Sequence, residues 1–211
     1  MRTKNTKENL LLTSINLFYK KGYNDTTIRD IGAKAGISNS IIYHYFKNKE
    51  EMLFEITYKA SQDLTKSLQE IKERVSDPIE CLREMLKAHT FHFSLRKEAK
   101  MLAIDLYWLE GKHKKIIRDQ QIQIYNIYME NLKKLSEKRL LNDINLTVIN
   151  FNIFGIINSF FRWYREGGRL SKEEVTEYII RFIFHAVLNQ EALSFHKLDY
   201  STENYSIEKE V

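Results

Sequence analysis

The groups best suited to recognition are concentrated between Tyr23 and Met52, in the run YNDTTIRDIGAKAGISNSIIYHYFKNKEEM. Ser38, Asn39 and Ser40 set hydroxyl and amide groups side by side, and Tyr43 and His44 add a phenol and an imidazole one helical turn later. Hydrogen-bonding side chains at this density suit the reading of a polar surface. The elements that must position them are short helices. The first starts at Thr26 or Thr27, where a threonine hydroxyl accepts from a free N–H and Asp30 supplies the acidic third position. Its apolar residues Ile28, Ile31 and Ala35 recur at helical spacing. Gly36 then turns the chain without a Cβ penalty, Ser38 caps a second short helix, and Asn48 with Glu51 caps a third. Helices this short are unstable alone and form only when packed together. A helix-turn-helix that presents its second helix to a DNA groove is the best-known unit of this kind.

Charge points the same way. Residues 1–50 hold nine Lys and Arg against four acids, a local net of +5 that equals the net charge of all 211 residues. The remaining residues therefore sum to zero, and a basic head on a neutral body is the electrostatic footprint of a nucleic-acid-binding protein.

The rest of the chain reads as an all-α protein of about nine helices. It has one proline, seven glycines and no alternating strand pattern. Cys81 is alone, which excludes an intrachain disulfide, and the polar start MRTKNTKENL does not read as a signal peptide, so a cytoplasmic setting is expected. The apolar run VINFNIFGIINSFF is interrupted by Asn150, Asn152 and Asn158 and falls short of a membrane span. Helices are expected from about Thr6 to Lys21, Lys49 to Arg74, 78 to 94, Lys97 to Leu109 and Lys112 to Lys138. A further helix runs from Asp143 or Asn145 to the Gly167–Gly168 pair, and a last one, with Ser171 and Glu174 as its capping box, reaches about Leu193. The expected division is a head at 1–50, a body at 51–193 and a polar, poorly ordered tail at 194–211.

No phosphate-cradling glycine loop, nucleophile elbow or HExxH signature is present, so an enzyme is not expected, nor a cofactor. His89 and His92 sit three apart on one helix face, but they have no assured carboxylate or thiolate companion, and no metal site is assigned.

This arrangement resembles the tetracycline-repressor (TetR-type) family of bacterial transcriptional regulators. The likeness rests on Leu11, Phe18, Gly22 and Tyr23, then Thr26–Thr27, Ile31, Ala35–Gly36–Ile37–Ser38, Tyr43–His44–Tyr45–Phe46 and Lys49–Glu50. The stretch from Trp163 to Ser171 looks like a segment of members that sense acyl-CoA thioesters and related lipid or steroid catabolites, with Glu166 where they usually carry proline.

The resemblance implies that the helix from Ser38 to about Tyr45 is the recognition helix on a duplex operator. Ser38, Asn39 and Ser40 would reach base edges or phosphates, with Asn39 matching the donor–acceptor pair of an adenine. Tyr43 or His44 would donate to a phosphate, and Thr27 and Lys49 would do so at two helix starts. One head is too small for tight specific binding, so a homodimer on a near-palindromic site is implied. The apolar helix 145–166, with Phe154, Ile157 and Phe161, would pair with the last helix, with Tyr178, Phe182 and His185, as a four-helix interface. The body would hold a small apolar effector among His89, Phe93, Tyr107, Trp108 and Tyr125. Arg162, Trp163 and Arg165 would grip the phosphates and adenine of a CoA group. Two alternatives stand beside this reading: a helical DNA-organising protein without sequence preference, and a regulator of efflux genes that senses aromatic or cationic drugs.

Overall fold

The structure is a computed structural model that describes residues 2–95, 97, 101 and 105–195. Among these, nine α-helices and one 3-10 turn account for the architecture, and the only β pairing is an isolated antiparallel bridge between Leu141 and Leu188. Helix α1 (Arg2–Lys21), α2 (Ile28–Ala35) and α3 (Asn39–Tyr45) form the head. Helix α4 (Lys49–Arg74) leaves it without a spacer. The body continues with α5 (Pro78–Leu95), a 3-10 turn (Asp105–Trp108), α6 (Gly111–Glu137), α7 (Leu146–Trp163), α8 (Lys172–Val187) and α9 (Gln190–Phe195).

The ends of these helices follow from local chemistry. Thr27 and Asp30 exchange side-chain-to-backbone bonds in a complete capping box on α2, and Ser171 with Glu174 does the same on α8. Asn48 accepts from the Glu51 N–H at the start of α4, and Asn145 accepts from Thr147 and Val148 at the start of α7. Gly36 closes α2 with φ of +68°, the left-handed conformation that glycine adopts without strain.

Inside the head, Leu10 and Phe18 of α1 meet Ile31 of α2, Ile42 of α3 and Phe46, all fully or nearly fully buried. Met52 and Leu53 of α4 share in this burial, and so fix the head to the first turns of the connecting helix. In the body, α4 runs parallel to α6: Glu50 meets His113 at one end and Lys72 meets Glu130 at the other. Helices α5 and α7 pack along them, and Ile79, Leu82, Met85, Leu86, Leu132, Ile153 and Phe160 fill the interior.

Two expectations are revised, and a third lies outside the described residues. The helix anticipated between Lys97 and Leu109 falls largely outside the described residues; its described end, Asp105–Trp108, is a 3-10 turn. The last helix does not run unbroken to Leu193. It stops at Val187, because Asn189 turns its side chain to the Arg139 carbonyl and caps the Ala192 N–H of a separate α9. The tail expected to be poorly ordered lies outside the described residues from position 196 onward.

Candidate nucleic-acid interface

Helix α3 is held from beneath and bare above. Ile42 and Phe46 are its buried anchors, while Ser38, Asn39, Ser40, Ile41, Tyr43 and His44 are all exposed. The turn before it is tight: a Cβ on Gly32 would stand 2.7 Å from the Ile37 carbonyl oxygen and 3.0 Å from Asn39 Oδ1. Ser38 occupies the cap position but makes no side-chain cap bond; its hydroxyl pairs with that of Ser40 at 3.0 Å. Asn39 and Tyr43 lie one turn apart on the exposed side, next to the Ser38–Ser40 pair.

Around this helix the charges are ordered. Asp30 accepts from Lys21 Nζ at 2.9 Å and from the Thr27 N–H at 2.9 Å, and it takes part in the Thr27 capping box. The Lys21 ammonium, then the Thr27 N–H and hydroxyl, pull the Asp30 carboxyl down to about 2. The Thr27 hydroxyl is engaged within this box, accepting from the Asp30 N–H at 3.1 Å and interacting with the Asp30 carboxylate.

Lys49 departs from its expected place on a phosphate. Its ammonium donates to the carbonyls of Tyr23 at 2.7 Å, Asn24 at 3.1 Å and Thr26 at 2.7 Å, and sits 4.3 Å from the centroid of the Tyr23 ring. All its N–H donors are thereby turned inward onto the turn between α1 and α2. Partial burial pushes its pKa down, and Asp25 and Asp30 partly offset this. It is a clamp of the head, invisible to sequence reasoning because its partners lie 23 to 26 residues away.

A second feature that sequence reasoning misses joins head to body. The Glu50 carboxylate accepts from the Glu110 N–H at 3.1 Å and from His113 Nδ1 at 3.2 Å. The His113 ring stacks on Phe54 with centroids 4.0 Å apart, and Trp108 packs on Tyr23 at 5.8 Å.

The residues expected to share one effector cavity fall into separate places. His89 is buried and its Nδ1 lies 3.1 Å from the Tyr128 hydroxyl, which donates onward to the Met85 carbonyl at 3.1 Å. The Tyr128 proton is thus committed, so His89 donates from Nδ1. Burial, reinforced by His92, holds His89 down at about 3, a neutral imidazole. Phe154 closes this cluster edge-on to Tyr128 at 5.3 Å and His89 at 5.8 Å, with Tyr125 beside it at 6.4 Å. Tyr107 and Trp108 sit instead in the 3-10 turn near the head, both exposed. Arg162, Trp163 and Arg165 are exposed at the far end of α7. The side chain of Phe93 lies outside the described residues.

The expected interface residues also divide. Ile157 is fully buried and Phe154 belongs to the His89 cluster, so both face the protomer interior. The side chain of Phe161 lies outside the described residues. Tyr178, Phe182 and His185 form an exposed stripe on α8, and the exposed positions of α7 include Val148, Phe151 and Gly155. Phe151 is 62% and Phe182 64% exposed, too much apolar surface on neighbouring helices to be explained by packing within one protomer. A shallow apolar groove of about 210 Å³ between Trp163, Leu170, Tyr178 and Phe182 belongs to the same face.

No helix among the described residues is long and apolar enough to cross a membrane, and no group of three metal-ligating side chains occurs among them.

Known proteins share this layout. The HTH-type transcriptional repressor KstR2 of Mycolicibacterium smegmatis is 26% identical over 192 residues, covering 86% of this chain and 90% of that protein. The uncharacterized HTH-type transcriptional regulator YerO of Bacillus subtilis is 29% identical over 82% of this chain and 62% of its own length. The structure of the ketosteroid transcriptional regulator KstR2 of Mycobacterium tuberculosis superposes with a TM-score of 0.77 at 23% identity, covering 87% of this chain and 95% of the other. AibR in complex with isovaleryl coenzyme A and operator DNA superposes at 0.79 with 21% identity, covering 85% and 98%. Residues 10–56 match the bacterial regulatory proteins of the tetR family, and residues 75–187, from the end of α4 to the end of α8, match the tetracyclin repressor-like C-terminal domain. The chain belongs to the TetR family of transcriptional regulators.

Proposed function

We infer that this chain is a cytoplasmic transcriptional repressor that grips a near-palindromic duplex operator as a homodimer and lets go when a small apolar effector enters its body. The observation that carries the reading is α3: a helix anchored by Ile42 and Phe46 that offers Ser38, Asn39, Ser40, Tyr43 and His44 outward from a head holding the entire net positive charge. Thr27 caps the N-terminus of α2, whose first-turn N–H groups suit a phosphate. The exposed stripes of α7 and α8, with Phe151, Tyr178, Phe182 and His185, support the second copy.

The effector class we propose is an acyl thioester of coenzyme A or a related lipid catabolite. Support comes from the Trp163–Ser171 segment and from AibR, whose structure holds isovaleryl coenzyme A. Arg162 and Arg165 flank Trp163 within reach of a phosphate-rich ligand.

Selection of bound duplexes from a random pool, followed by footprinting, tests the operator reading. A regulator protects one short palindrome, whereas a non-specific organiser recovers no consensus and shows only salt-dependent affinity. Native mass spectrometry of freshly purified protein and thermal shift with an acyl-CoA series test the effector class. No stabilisation at any chain length would remove the thioester from consideration.

A further inference from the structure

A concavity of about 420 Å³ lies where the 3-10 turn meets the first turns of α6. Leu106, Leu109 and Ile117 make its floor, and Lys114, Lys115 and Arg118 stand along its rim. No carboxylate lines it, and among the described residues none of these three cations forms an ion pair. Lys114 and Arg118 are four residues apart and Lys115 and Arg118 three, so the three charges share one helix face. Stacked like charges weaken a helix by about 0.2–0.5 kcal/mol per pair unless a counter-charge sits among them. A purely solvated basic face would be convex and polar beneath; this one overhangs leucines in a volume within the usual range of ligand sites, roughly 300–1,000 Å³.

We propose that this cleft binds an amphipathic anion, a carboxylate- or phosphate-headed molecule with an alkyl body, whose head the three cations hold and whose body rests on the leucines. The charge pattern selects the head, and the apolar floor excludes a bare inorganic ion as the preferred occupant. The site is separate from the His89–Tyr128–Phe154 cluster and from Arg162 and Arg165.

Its position gives it a consequence. One wall, the 3-10 turn, carries Trp108 against Tyr23 of the head. The other wall, the start of α6, carries the Glu110 N–H and His113 onto Glu50 at the head end of α4. An occupant that draws the walls together or spreads them moves both contacts, and so shifts the head relative to the body. This regulatory half rests on the operator reading above; binding itself is measured on free protein, so the two can fail separately.

The test is calorimetric titration of the full chain with decyl phosphate, decanol and inorganic phosphate, each below any micellar concentration. Decyl phosphate should bind saturably, with decanol and inorganic phosphate each at least about tenfold weaker, since each lacks half of the recognised group. The K114Q/K115Q/R118Q variant should weaken decyl phosphate by about 10- to 100-fold, as the loss of three exposed charge pairs implies, while K114R/K115R/R118K retains it. Unchanged thermal melting of the neutral variant shows that its fold is intact. If its melting temperature is lowered, the single-site variants K114Q, K115Q and R118Q take its place, and each should still weaken binding. Wild-type affinity in the neutral variant overturns the site. So does a result in which decyl phosphate fails to bind wild type while the neutral variant loses duplex affinity with a shallower salt dependence, because the cations then serve DNA. On the selected operator, decyl phosphate should lower the affinity of wild type and leave the neutral variant unmoved; binding without that difference overturns the coupling.

Discussion

Replacing Lys49 with methionine separates two roles that a lysine at a helix start could play. As a phosphate contact, its loss would leave the free protein unchanged and would remove about 0.9 from the slope of log affinity against log salt. As the clamp seen here, its loss removes the donor that meets the carbonyls of Tyr23, Asn24 and Thr26 at 2.7, 3.1 and 2.7 Å, of which, among the described residues, only Tyr23 keeps another, the Thr26 N–H at 3.3 Å. Hydrogen bonds to a charged donor contribute about 1.5–3 kcal/mol each, but they are not additive on one ammonium, and this one keeps some water. A net loss of about 2–4 kcal/mol from the head is therefore expected, with methionine retaining the contact of the stem on the Tyr23 ring. The assay is urea unfolding at fixed protomer concentration, paired with operator titrations at several salt concentrations. A lowered midpoint with an unchanged salt slope is the expected result. An unchanged midpoint with a shallower slope would refute the reasoning and return Lys49 to the DNA backbone.

Four further outcomes follow from the geometry. Gly32→Ala must push a methyl group against the Ile37 carbonyl 2.7 Å away, and should cost the head about 1–3 kcal/mol and abolish operator retention in a mobility shift, with the body's helical circular dichroism preserved. Asn39→Ala and Tyr43→Ala expose no core and should each weaken operator binding by about 1–3 kcal/mol without lowering the melting temperature; unchanged mobility shifts would remove α3 from the groove. Phe182→Glu places a charge on the exposed stripe of α8, and light scattering should then find monomers where wild type gives dimers. His89 is held near 3 in the fold, below the ordinary value of 6.5, so the unfolded chain binds the extra proton. Its contribution is complete above pH 6.5 and is lost as pH falls toward 3, on the order of 3 kcal/mol per protomer by pH 4; urea midpoints that do not fall across that window in wild type, relative to His89→Gln, would contradict the buried neutral imidazole.

What the sequence discloses and what it hides divide along range and periodicity. The capping boxes of Thr27–Asp30 and Ser171–Glu174, the Asn48 cap and the turn at Gly36 are all legible, because each is an arrangement among residues within four positions. The roles of Lys49 and Glu50 are not, since their partners are separated from them by 23 to 26 and 60 to 63 residues. Helix α7 shows a different failure. Apolar residues on nearly every side leave no period to fix its rotation, so sequence reasoning turns Phe154 and Ile157 outward when they face in, and Phe151 is the exposed aromatic. The break at Asn189 is hidden because side-chain amides at 142 and 189, far apart in sequence, end α8 together by taking its last free carbonyls and the Arg139 carbonyl.

The same long-range contacts explain how a body with no net charge of its own can govern the head. Helix α4 enters the head through Met52 and Leu53, both buried, so a shift of its first turns carries the whole head with it. Glu50 and Phe54 in those first turns touch the body, and both of their partners, Glu110 with His113 and the His113 ring, lie at the start of α6. The start of α6 is thus joined to α4 by a partly buried polar contact beside the Phe54–His113 stack. A joint of few polar contacts next to a rigid lever is an effective place for a switch: an effector needs only a few kcal/mol of differential binding to reset it, and two heads on one two-fold axis turn a small rotation at each into a mismatch with the half-site spacing.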